Sequence, residues 1–194
     1  MSKVITFSRH FPKGHPRQGE PTYFVEKYWN SFNVQALGEE FVYPFEEELY
    51  KLNKDRLGLW PLQDVTFDPP IISSMRESFG AKLHTIRAGN RFKEGEMFSP
   101  RVWSGKPYNS KQIVIGPDTK VVKTYEISIV CTGDKGFAVL DGQEFPLNNE
   151  SMNAALLASN DGLTVGDLVA WFSKPMKGQI ICWSDEVEYN HHVG

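Results

Sequence analysis

Lys82, Thr85 and Arg87 fall within six residues of one another. An amine, a hydroxyl and a guanidinium at this spacing are the groups a nucleotide or nucleic-acid site uses. The run Leu83-His84-Thr85-Ile86-Arg87 reads as a strand, with Leu83, Thr85 and Arg87 on one face and His84 and Ile86 on the other. If Lys82 sits on a bend just before the alternation, it can share a pocket with Thr85. A buried lysine loses its proton more readily than a solvated one, and the neutral amine can act as a base or nucleophile. It could then activate Thr85 or attack a carbonyl itself. Arg87 offers a planar fork of donors that matches a phosphate or a base edge. The same residues equally describe a solvated strand-edge lysine, a β-forming threonine and an arginine paired with a carboxylate such as Glu126 or Asp161. On the residues alone both readings stand.

Charge sharpens the picture around this strand. From Ala81 to Lys123 there are nine cations, Lys82, Arg87, Arg91, Lys93, Arg101, Lys106, Lys111, Lys120 and Lys123, against the three anions Glu94, Glu96 and Asp118. That segment carries +6 in a chain of net charge -3, so the remainder carries -9. Bulk charge therefore excludes a general polyanion binder, and any nucleic-acid site must be a local patch. Most of these lysines read as solvated faces. Arg91 and Lys93 suit contacts to backbone phosphates rather than base reading. Trp103 and Tyr108 flank Lys106 in a Gly-Pro loop, an aromatic-cation arrangement that can stack a base. It reads equally as a loop pinned by its own aromatics.

Other chemistries find little support. There is no GxxxxGK[ST] or GxGxxG phosphate loop and no GxSxG elbow. His10 and His15 lie five apart and His191-His192 lie near the end, but no cysteine or carboxylate cluster joins them at ligand spacing, so neither metal nor cofactor is expected. His84 is expected to be packed or hydrogen-bonded on the face opposite Thr85. Cys131 and Cys182 form no CxxC and read as buried thiols in a reducing cytoplasm. Residues 1–20 are polar and basic, and no run approaches the roughly 18 to 20 apolar residues that span a bilayer. A cytoplasmic protein without a membrane partner is expected.

The elements that must position these residues read as a single α+β domain over 1–194. Aromatics make up 13% of the chain, enough to fill a small β-core with a few large side chains. Val4 to Phe7 is a first strand, His10 to Pro21 a loop and Thr22 to Phe32 a helix. Residues 33–79 are mixed and read as an insertion after that helix. Strands follow at Leu83 to Arg87, Met97-Phe98, Gln112 to Ile115 and Val121 to Thr132. A hairpin is expected around Asp141-Gly142. Asn153 to Ser159 is a helix candidate, Thr164 to Asp167 a cap-like start for another, and Gly178 to Trp183 a last strand. Many short strands without βαβ alternation argue for a small barrel.

The octapeptide Gly80-Ala81-Lys82-Leu83-His84-Thr85-Ile86-Arg87 resembles the GxKxxTxR signature of ASCH domains. The order around it is similar too. Ile5-Thr6-Phe7 precedes a helix, Arg91 to Glu96 is similar to the family's basic-aromatic turn, and strands around Tyr125-Glu126-Ile127 follow. Asp161-Gly162-Leu163-Thr164 then opens a helix through Trp171-Phe172, and Gly178 to Trp183 closes the sheet. Pro100 to Tyr108 resembles a phage and bacterial subgroup. The resemblance covers Val4 to Phe7 and Gly80 to Trp183. It implies a PUA-like β-barrel with flanking helices and a cleft that binds RNA or a modified nucleoside or nucleotide. Some small members are N4-acetylcytidine amidohydrolases that use a lysine, a threonine and a glutamate. Lys82 and Thr85 match the first two. The glutamate's place is taken by Asp161, one methylene shorter, a departure that bears on proton transfer more than on binding. The resemblance thus implies Lys82, Thr85 and Asp161 as catalytic residues, with Arg87, Arg91, Lys93, Trp103, Lys106 and Tyr108 contacting the ligand. The alternative to a binding module is an amidohydrolase of N-acylated nucleosides, or a ribonuclease.

Overall fold

A computed structural model describes residues 2–32, 79–132 and 135–189. The expected insertion lies outside these residues apart from Phe79. The described secondary structure is α+β, dominated by sheets with few helices. It divides into two compact units.

The first unit holds the described residues of Met1–Lys13, Arg17–Ala81 and Met97–Thr119. Strand β1, Lys3–Phe7, alternates so that Ile5 and Phe7 are buried. It runs parallel to β3, Met97–Trp103, with Val4 beside Ser99 and Thr6 beside Arg101. β3 is longer than the Met97-Phe98 expected from the sequence. It buries Phe98 and Val102 and pairs antiparallel with β4, Gln112–Val114. The two-residue β5, Thr119–Lys120, also pairs with β3. Helix α1, Phe24–Trp29, is shorter than the expected Thr22 to Phe32; it starts late because Tyr23 adopts a left-handed φ of 56°, and it ends at Trp29. Its Tyr28 packs against Phe7 with ring centroids 5.4 Å apart. The Tyr28 hydroxyl meets the Thr119 hydroxyl at 2.6 Å, and the Trp29 indole donates to Ile115 O at 2.9 Å. The aromatics of this helix therefore belong to the core.

The second unit holds the described residues of Gly14–Pro16, Lys82–Glu96 and Lys120–Gly194. Its sheet has the order β2-β9-β6-β7-β8, with β2 His84–Ala88, β6 Lys123–Thr132, β7 Lys135–Leu140, β8 Gln143–Pro146 and β9 Met176–Cys182. All neighbours are antiparallel. Along β6, Tyr125, Ile127, Ile129 and Cys131 alternate into the core. The hairpin expected at Asp141-Gly142 forms, with φ of 45° and 88° at the two turn residues. Those positive values match the right-handed twist of the strands and suit Asp-Gly. Two helices follow. α2, Met152–Asn160, is capped by Ser151, whose hydroxyl accepts from Ala154 N. α3, Val165–Trp171, is capped by Thr164, whose hydroxyl accepts from Asp167 N at 3.1 Å.

Neither sheet is closed into a barrel. The strands expected to form one closed sheet instead fall into two open ones. In the second unit β2 and β8 stand at opposite edges. The outer edge of β2 is occupied by the end of α2. Leu83 N donates to Asn160 O at 2.7 Å, and the Ile86 amide donates to the Asp161 carboxylate. An edge satisfied by a helix terminus has no need of a further strand.

Candidate functional site

The end of α2 brings two of the sequence-predicted residues together. Lys82 is only 1% exposed, and its ammonium donates to Asp161 O at 2.6 Å and Asp161 Oδ1 at 2.5 Å. Asp161 was expected to open the following helix. It closes α2 instead, with its amide bonded to Leu157 O and Gly162 in the left-handed region at φ 73°. That explains why a lysine is suited to this place. The last carbonyls of a helix lack intrahelical partners, and the negative end of the helix dipole favours a cation. The ammonium satisfies such a carbonyl and a carboxylate at once. Burial pushes the Asp161 carboxyl up from its ordinary range, against the pull of Lys82, Arg87 and the Ile86 amide.

His84 and Tyr189 extend the cluster, and sequence reasoning had no route to the second of them. His84 is fully buried, with Nδ1 3.6 Å from Asp161 Oδ1 and Nε2 2.7 Å from the Tyr189 hydroxyl. Desolvation, aided by the Lys82 charge, holds the imidazole well below its ordinary pKa, so it is neutral at pH 7. A neutral ring has one donor and one acceptor nitrogen. The Tyr189 hydroxyl also receives the Asn160 side-chain amide at 3.3 Å, so it donates to Nε2 and leaves the ring proton on Nδ1, which lies 3.6 Å from Asp161 Oδ1, beyond hydrogen-bond reach. The result is a buried row of phenol, imidazole, carboxylate and ammonium. Tyr189 comes from 105 residues away and carries no local motif. Its only sequence signal was the placement of His84 on a buried face.

Thr85 is buried on β2, and strand alternation turns its side chain away from His84. Among the described residues no hydrogen bond joins its hydroxyl to Lys82 or Asp161. Arg87 is partly exposed and close enough to lower the pKa of Asp161. It pairs across the sheet with Gln179 of β9, which pairs on its other side with Glu126.

Gln179 was not anticipated. It is 1% exposed, and its side-chain amide grips the Phe92 backbone from both directions. Phe92 N donates to Gln179 Oε1 at 2.8 Å, and Gln179 Nε2 donates to Phe92 O at 3.0 Å. Phe92 is itself buried, while its neighbours Arg91 and Lys93 are exposed. Both acids of this turn face backbone amides. Glu96 accepts from Lys93 N and Glu94 from Thr124 N. The backbone that carries Arg91 and Lys93 is thus held on the sheet face that carries Arg87, and the carboxylates of Glu94 and Glu96 are engaged by backbone amides.

Trp103, Lys106 and Tyr108 belong to the first unit. Elsewhere in the second unit, His15 is buried against α3, its Nε2 bonding Asp167 O at 3.2 Å. A recess of about 500 Å³ is lined by Pro16, Leu147, Asn148, Val165, Val169 and Ala170. Among the described residues no group of His, Cys, Asp and Glu could hold a metal ion. Cys131 and Cys182 are free and buried, as expected, and burial pushes the Cys182 thiol up to about 12. Among the described residues no helix is long and apolar enough to cross a membrane. No family model matches the chain, and no curated protein and no solved structure matches it.

Proposed function

We propose that this chain is an RNA- or modified-nucleotide-binding protein of the ASCH type, its α+β scaffold related to PUA-like barrels. In this reading ligand phosphates meet the basic corner of Arg87, Arg91 and Lys93. The observation that carries it is the Gln179 clamp on Phe92, which holds Arg91 and Lys93 beside the arginine of the signature strand. A backbone already held in place presents its cations to a polyanion without first losing the freedom of a mobile loop. The two free, buried thiols suit a cytoplasmic setting.

Salt dependence tests this reading. Single-stranded RNA releases about 0.7 counterions per phosphate contact. Three contacts give a log–log slope near -2, measured by anisotropy of a labelled RNA octamer. Arg87→Ala and Lys93→Ala each flatten the slope by about 0.7 and weaken binding. Affinity indifferent to both salt and these substitutions contradicts the reading.

The Lys82–Asp161 contact favours a second reading, an amidohydrolase of N-acylated nucleosides or a ribonuclease using Lys82, Thr85 and Asp161. The ammonium proton has an acceptor at 2.5 Å whose proton affinity burial has already increased. Transfer to Asp161 leaves a neutral amine that can take a proton from water as it attacks a carbonyl. Turnover of N4-acetylcytidine or single-stranded RNA, abolished by Thr85→Val or Lys82→Met, supports this chemistry. Turnover equal in wild type and both variants removes it.

A further inference from the structure

The hairpin joining β3 and β4 carries features that the first unit's core does not explain. Tyr108 is 87% exposed and holds a left-handed φ of 65°. That conformation is strained for a bulky residue, and strained positions cluster where a binding surface is held ready. The loop around it is tied down. Ser104 N donates to Lys111 O at 2.9 Å, Gly105 N to the Ser110 hydroxyl at 3.0 Å, and that hydroxyl to Lys106 O at 2.9 Å. Asn109 N closes on Lys106 O at 3.2 Å. Trp103 supports the Tyr108 ring, with centroids 5.4 Å apart and planes tilted by 51°. A loop merely pinned by its aromatics would cover the ring, whereas this one leaves most of it in solvent.

The surroundings select the occupant. Residues 97–117 contain Arg101, Lys106 and Lys111 and no Asp or Glu. Arg101 and Trp103 lie two apart on β3, so they share the face opposite the buried Phe98 and Val102. Gln112 stands across from Trp103, and its side-chain oxygen receives the Arg101 guanidinium at 3.3 Å. The Arg9 guanidinium reaches the base of the hairpin, donating to Ser104 O at 3.2 Å. An open ring on a tied-down loop, in a stretch that carries three cations and no acid, fits a planar group attached to a polyanion. Bases in a duplex are already stacked on one another, so the planar group must be unpaired.

We propose that Tyr108, supported by Trp103 and flanked by Lys106, is a stacking platform for an unpaired base of single-stranded RNA. This deepens the nucleic-acid reading and rests on it. The test compares binding of a labelled RNA octamer and of a blunt duplex of the same sequence to the full chain. Tyr108→Asn is the informative variant, because asparagine tolerates the left-handed backbone and removes only the ring. It is expected to lose roughly tenfold in affinity for the single strand, with the salt slope and duplex binding unchanged. Tyr108→Phe keeps wild-type affinity. If Tyr108→Asn binds like wild type while Arg87→Ala and Lys93→Ala weaken binding, the platform falls and the basic corner stands. If only Tyr108→Asn weakens binding, the basic corner falls and the platform stands. A wild-type chain that binds neither strand overturns both.

Discussion

Removing the Lys82 ammonium should leave Asp161 as a buried carboxylate without its counter-charge. At 2.5 Å and an effective dielectric of about 20, the Coulomb attraction is roughly 7 kcal/mol. Desolvation of the two ions, at several kcal/mol each, offsets much of it. What remains visible is the cost of orphaning one partner, about 3–5 kcal/mol for Lys82→Met. Asp161→Asn orphans the ammonium instead and costs a similar amount. The double variant Lys82→Met/Asp161→Asn leaves no buried charge at this position, so its loss falls short of the sum of the two by 2 kcal/mol or more, within the range neighbouring sites show. The pH dependence has a definite sign. In Lys82→Met the two Lys82 contributions that oppose burial are gone, and only Arg87 and the Ile86 amide still pull the Asp161 carboxyl down. A raised folded-state pKa means stability present at low pH and lost as pH rises through it. The deficit is therefore larger at pH 8 than at pH 5. Urea unfolding of the four proteins at both pH values measures all of this. Single-variant losses below about 1 kcal/mol at pH 8, or strict additivity, would refute the claim that these groups form a coupled buried pair.

Three further outcomes follow from other parts of the molecule. Burial raises Glu26 in α1 from 4.5 to about 7, so wild-type stability falls as pH rises between those values, by about 3 kcal/mol in all. Glu26→Gln removes that decline, and a decline that persists in the variant would show the wrong group has been named. A Cβ at Gly178 would stand 1.9 Å from Arg87 O, backbone that cannot yield without parting β2 from β9. Gly178→Ala should cost about 3 kcal/mol or more, read by thermal or urea unfolding, and a loss under 1 kcal/mol would show that the strands do not approach so closely. Tyr189→Phe leaves His84 Nε2 without its donor, at about 1–3 kcal/mol, and the imidazole shifts from one tautomer to a mixture. Long-range 15N spectra of His84 report the tautomer directly, and an unchanged spectrum would contradict the assignment.

Local chemistry was legible in the sequence wherever one element decides the outcome. Asp141-Gly142 gave the hairpin because its φ values need no tertiary support. Thr164 was recognisable as a cap, and the period-two pattern put His84 opposite Thr85 and Arg87. What could not be read were pairings made by distant segments. Nothing near Asp161 says that it ends α2 rather than starting α3, since Asp-Gly serves both and the choice rests on a lysine 79 residues away. Closure into one barrel was inferred from short strands. Strand length carries no information about what covers the edge of β2, and here a helix end covers it. Gln179 looked like one polar residue in an apolar strand. Its purpose appears only with the Phe92 backbone 87 residues earlier.

The central claim concerns where a phosphate-bearing ligand sits. Titrating the 15N-labelled full chain with a short single-stranded RNA, and following backbone amide shifts, locates the contact residue by residue. Shifts concentrated from Ile86 to Glu94, with Gln179 moving alongside them, are the predicted outcome. Shifts confined to the recess between Leu147 and Ala170, with the Arg91–Lys93 turn unmoved, would contradict it.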